Sequence, residues 1–245
     1  MTNPALNQNA FRNVHSHGTD VMTLQGTVNK TYIMLFLVIL TAGYIWHGIY
    51  YGVELILPFN ILMYTGIFGG IILALATIFK KEWSPVTAPL YAAFEGLAIG
   101  GISAVFELMY PGIVIQAVSL TFGTLFVLLT LYKSGTIRVT DKFRTGIIAA
   151  TGAVALIYIV NFVMSFFSSG VPFIYSSSLF GIGFSLVVVA IAAMNLLLDF
   201  DFITKSAVSN APKYMEWYAS FGLMITLIWL YFEILRLLSK LQDRK

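Results

Sequence analysis

Seven apolar runs fill the chain from Thr31 to Leu238, and each reaches about the 20 residues a helix needs to cross a bilayer. They span Thr31–Tyr51, Leu57–Ile78, Val86–Leu108, Ile113–Tyr132, Gly146–Phe167, Leu179–Thr204 and Trp217–Leu238. In hydrocarbon every backbone N–H and C=O must be satisfied within the chain, so a run of this length is a helix. The links between runs are short, which makes consecutive helices antiparallel neighbours. The pattern predicts an all-α polytopic membrane protein, a seven-transmembrane-helix bundle over residues 31–238 with no second domain. A polar, flexible tail of residues 1–30 precedes it and a short basic tail of residues 239–245 follows. Charged residues make up 10% of the chain, against about a quarter in soluble domains.

Composition also removes several chemistries. There is no cysteine, hence no disulfide frame, thiol nucleophile or thiolate metal site. Of the three histidines, His15 and His17 lie in the polar tail and only His47 is in a span, with no HExxH spacing. The tail lacks the charged start, short apolar core and cleavage site of a signal peptide. Gly66 with Gly70, and Gly96 with Gly100, form small-xxx-small pairs that let helix backbones approach closely. Neither pair has phosphate-loop spacing.

Basic residues set the expected orientation. Arg12 and Lys30 precede the first span, Lys80 and Lys81 follow the second, and Lys133, Arg138, Lys142 and Arg144 follow the fourth. Lys205 and Lys213 follow the sixth, while the links around Glu54, Pro111 and Ser168–Ser177 carry no Lys or Arg. The positive-inside rule then places the N-terminus in the cytoplasm, and the expected location is the cell's inner (plasma) membrane. Seven full crossings put the basic tail (Arg236, Lys240, Arg244 and Lys245) outside. Either the last helix stops short, or the many inner charges outweigh the tail.

Acidic groups inside the runs are the candidates for function, because a charged side chain at the bilayer centre costs roughly 2.5–3.5 kcal/mol unless it faces protein or water. In the sixth run, Asn195 precedes Asp199 by one turn, and Asp201 follows. Positions two apart lie about 200° round a helix, so Asp199 and Asp201 face apart and do not share a proton. That argues against an aspartyl protease. Asp201 has Lys205 at i+4 and reads as a solvated interfacial ion pair; Asp199 has no cation on its own helix face and reads as inward-facing. Glu95 lies about ten residues into the third span, ~15 Å deep. The last span carries Thr226, Glu233 and Arg236 along one side, with Glu233 and Arg236 placed to pair at i, i+3. Glu54, Glu82, Asp141, Glu216 and Asp243 read as ordinary loop or interface charges.

The third-span segment FEGLAIGGI, LLLDFDFI in the sixth span and WLYFEILRLL in the seventh resemble the Bax inhibitor-1 (transmembrane Bax inhibitor motif) family, and most closely its bacterial branch. The resemblance covers all seven spans. It implies a proton-sensitive calcium leak, not an enzyme, in which a sixth-helix acid pairs with a seventh-helix acid near an arginine. Asp199 matches the first acid, with Asp201 as the adjacent alternative. Glu233, after Leu230-Tyr231-Phe232, matches the second with a longer arm than the family's aspartate. Glu95, from its depth in the third span, is the rival second carboxylate, so the expected transient Ca2+ ligands are Asp199 with Glu233 or Glu95. Asn195, Thr226 and Arg236 join them in the ion pathway. The expected partners are the lipid bilayer, Ca2+ and H+, and no nucleic acid. Two rival functions are a regulator acting on another membrane protein, such as a membrane protease, and a proton-coupled transporter.

Overall fold

The computed structural model describes residues 21–52, 55–167 and 176–244. The polar tail with Arg12, His15 and His17, as well as Glu54 and most of the Ser168–Ser177 link, lies outside the described residues. Among the described residues seven helices are long and apolar enough to cross a membrane. They are α1 (Leu24–Tyr51), α2 (Phe59–Phe79), α3 (Ser84–Met109), α4 (Ile113–Lys133), α5 (Asp141–Ser165), α6 (Leu179–Val208) and α7 (Met215–Gln242). A 3-10 turn, Lys81–Trp83, joins α2 to α3.

Two helices begin well before their apolar runs, for a local reason. The Thr23 hydroxyl accepts from the Gly26 N–H at the start of α1, and Thr140 accepts from the Phe143 N–H at the start of α5. Each cap satisfies a donor that a helix start otherwise leaves bare, so the helix extends into the polar flank. At its far end α1 stops on Gly52, whose φ of 64° is open to glycine at no steric cost. The last helix runs through to Gln242, about 42 Å at 1.5 Å per residue. That is long enough to cross.

The chain divides into two compact units. The first holds α1, α2, α3 and the stretch Phe202–Ile225, which is the end of α6, the following turn and the start of α7. Its centre is α3, which takes α2 and α1 against small residues. A Cβ on Gly66 of α2 would lie 2.7 Å from the Phe94 carbonyl oxygen and 2.6 Å from the Ala98 nitrogen. On Gly100 of α3 it would lie 2.6 Å from the carbonyl oxygen of Ala42 in α1. Both glycine pairs therefore supply helix contacts. Tyr91 and Phe221 meet edge-to-face at 4.9 Å beside buried Ala88 and Ala92. Because the atoms facing Gly100 are backbone and cannot rotate away, Gly100→Ala costs about 1–3 kcal/mol. Thermal unfolding in detergent reads that loss, and an unchanged midpoint refutes the close approach.

The second unit holds α4, α5, α6 up to Asp201, and α7 from Thr226 onward. Its buried apolar residues include Ile113, Ala117, Ile147, Val154, Val188, Leu196, Leu230 and Ile234. Here the end of α7 lies beside the start of α6, where the Ser177 hydroxyl donates to Asp243 at 3.1 Å. Large apolar side chains such as Phe36, Phe68, Ile72, Phe126, Leu156 and Phe162 are exposed. Exposed apolar surface on this scale is what lipid contact requires.

Candidate functional site

Four carboxylates of α6 and α7 are withdrawn from the surface, with Asp199 at 2%, Asp201 at 6%, Glu216 at 0% and Glu233 at 2% exposure. Their partners separate them. Asp199, in the second unit, accepts a hydrogen bond from the Thr226 hydroxyl of α7. Among the described residues its Oδ2 is the buried side-chain polar atom without a hydrogen-bond partner. One turn earlier, the Asn195 amide donates to Thr151 Oγ1 of α5 at 2.8 Å and to the Ile191 carbonyl at 2.9 Å. Asp199, Asn195 and Thr226 thus belong to one polar patch inside the second unit, with a free acceptor at its centre.

Asp201 is not solvated. Arg144, in the first turn of α5, donates to its Oδ2, and both side chains are largely covered. The expectation of an exposed interfacial pair is corrected here, since spacing along α6 says nothing of what α5 brings alongside. Glu233 does pair with Arg236 at i, i+3, at 3.2 Å. It also receives the Tyr158 hydroxyl of α5 at 2.9 Å and the Trp229 indole N–H at 3.2 Å, while Arg236 donates to that same Tyr158 oxygen at 2.6 Å. Both Glu233 oxygens are therefore occupied by neighbours other than Asp199. Seven residues separate Glu233 from Thr226, roughly 10 Å along the helix. Glu233 thus sits in an acid–arginine–tyrosine knot.

Glu95 belongs to the first unit. A Cβ on Gly70 of α2 would sit 2.7 Å from its Oε2, so the absent side chain of Gly70 makes room for this carboxylate. Among the described residues no group of three or more acidic or histidine side chains gathers as a metal cluster.

Two groups escaped the sequence reading. Glu216, taken as an interface charge, is fully buried in the first unit. It accepts from the Thr23 N–H at 2.9 Å and the Thr23 hydroxyl at 2.8 Å, and it pairs with Lys30 and Lys213. A Cβ at Gly26 would overlap its carboxylate. Beside it, Met22 N–H donates to the Ala211 carbonyl at 2.7 Å. The start of α1 is thereby clasped to the start of α7. Lys240, taken as part of a basic tail, is buried at 3% exposure. With Arg236 tied to Glu233, two of the four tail cations are committed inside the unit, which weakens the charge conflict over the last crossing.

A family model described as Bax inhibitor 1 like matches residues 3–243. The chain belongs to the Bax inhibitor 1-like family. No curated protein and no solved structure matches it. Membership and seven spanning helices together make this a multi-pass membrane protein whose architecture fits a channel or transporter. The sixth-span and seventh-span segments that carry the resemblance are those that hold Asp199, Asp201, Glu233 and Arg236.

Proposed function

We propose that this Bax inhibitor 1-like protein is a pH-sensitive calcium leak of the plasma membrane, with its N-terminus in the cytoplasm and Asp199 as the group that takes and releases the ion. The channel-like and generally non-enzymatic character of the family supports the reading. The observation that carries it is the free Oδ2 of a carboxyl group 2% exposed within a membrane-spanning helix. Ionised, that oxygen and the neighbouring Thr226 hydroxyl are hard ligands of the kind calcium prefers. Protonated, the same oxygen becomes a donor and the ion is lost. Two residues on, Asp201 is neutralised by Arg144, so it neither competes for the ion nor shares the proton. Glu233 is held by Arg236 and acts as an anchor, and Glu95 is a separate protonatable group of the first unit.

Purified protein in calcium-loaded vesicles tests this directly. Calcium efflux falls as the pH is lowered through the titration of Asp199. In Asp199→Asn efflux drops by about tenfold or more, the factor that 1.4 kcal/mol of lost ion binding gives, and the remainder no longer responds to pH. Glu95→Gln and Glu233→Gln, measured alongside, separate their contributions. Wild-type efflux and pH response in Asp199→Asn remove this residue from the mechanism.

A further inference from the structure

Lys240 sits two residues before the end of α7, where a lysine ordinarily extends its ammonium to the headgroups. Its Nζ turns inward instead. It donates to the Gly181 carbonyl oxygen at 3.0 Å and to the Ser185 hydroxyl at 2.7 Å, one turn apart at the start of α6. Ser185 is itself buried, at 1% exposure. Both acceptors are uncharged, and the acid on the same side of α7, Glu233, is already engaged by Arg236 and Tyr158. An ammonium withdrawn from water is costly unless its surroundings replace the lost hydration. A backbone carbonyl and a hydroxyl do that for an ammonium, and oxygens of the same kind do it for metal cations.

We propose that Gly181 and Ser185 form a small-cation site at the start of α6, filled by the chain's own Lys240, which acts as a tethered blocking ion. A free metal cation or primary ammonium occupies the site only when Nζ leaves. The inference deepens the leak reading, and rests on it for the flux measurement alone. Binding is read without any flux.

Lys240→Ala removes the ammonium and three methylenes, the outline of n-propylammonium. In the detergent-purified full chain, n-propylammonium raises the melting temperature of Lys240→Ala above a choline control of equal concentration, as ligands of the folded state do. The wild type is unmoved. Where Lys240→Ala is not recovered folded, Lys240→Met keeps the volume, and its melting temperature rises with sodium or calcium chloride over choline chloride. Failure of the recovered variant to respond overturns the proposal. In vesicles, Lys240→Met leaks calcium several-fold faster than wild type and Lys240→Arg does not; equal leaks in wild type and Lys240→Met also overturn it. A wild type with no leak under any condition sinks the calcium reading, and the melting measurement then decides the cation site by itself.

Discussion

Glu216→Ala lowers the midpoint of thermal unfolding by roughly 6–20 °C, the shift that losing about 3–5 kcal/mol produces in a chain of this size. The size of the effect comes from what is left behind. Lys30, with 17% of its side chain exposed, loses the anion that offsets its partial burial, and the Thr23 N–H and hydroxyl lose their acceptor. Lys213, at 47%, recovers water and contributes little. Glu216→Gln keeps the shape and one acceptor oxygen, so its midpoint falls less. Circular dichroism melts of the three proteins in one detergent rank them. If alanine melts with the wild type, the clasp between α1 and α7 holds nothing.

Arg144→Ala is the second large effect, and it is asymmetric. Removing the guanidinium takes the Arg144 partner from a buried Asp201 carboxylate, a loss of up to about 3–5 kcal/mol, whereas replacing both partners by apolar residues of similar volume is close to neutral. Arg144→Met with Asp201→Leu therefore melts near the wild type, and Arg144→Ala alone melts well below it. The same comparison bears on function. A double variant that keeps wild-type calcium efflux shows that the pair does not itself carry ions. Loss of efflux in the stable double variant assigns the pair a direct part.

The helices were legible because span length is a physical requirement of the bilayer and apolar runs record it directly. Contacts along one helix were legible for a related reason: Glu233 and Arg236 meet because three residues is nearly one turn. The small residues Gly66 and Gly100 likewise announce close approach, though not which helix arrives. Partners supplied by another helix leave no such trace. Tyr158, Arg144 and Thr151 of α5 complete the surroundings of Glu233, Asp201 and Asn195, and nothing in the spacing of α6 or α7 names them. A tyrosine in the otherwise aliphatic ALIYIV segment was the available hint. Glu216 and Lys240 were misread because a charge near a helix end normally reaches water. Both are instead folded inward by residues distant in sequence.

The clasp has a consequence for how the molecule is made. Thr23 and Glu216 are separated by 193 positions. At the usual synthesis rates of about 5–20 residues per second, some 10–40 s pass between their emergence from the ribosome. Throughout that interval Glu216 is missing, the hollow at Gly26 is unfilled, and Lys30 awaits its anion. Closure of the hollow is thus a late event in biogenesis, and a nascent chain arrested before Met215 presents that hollow to whatever insertion factor or quality-control protease meets it first.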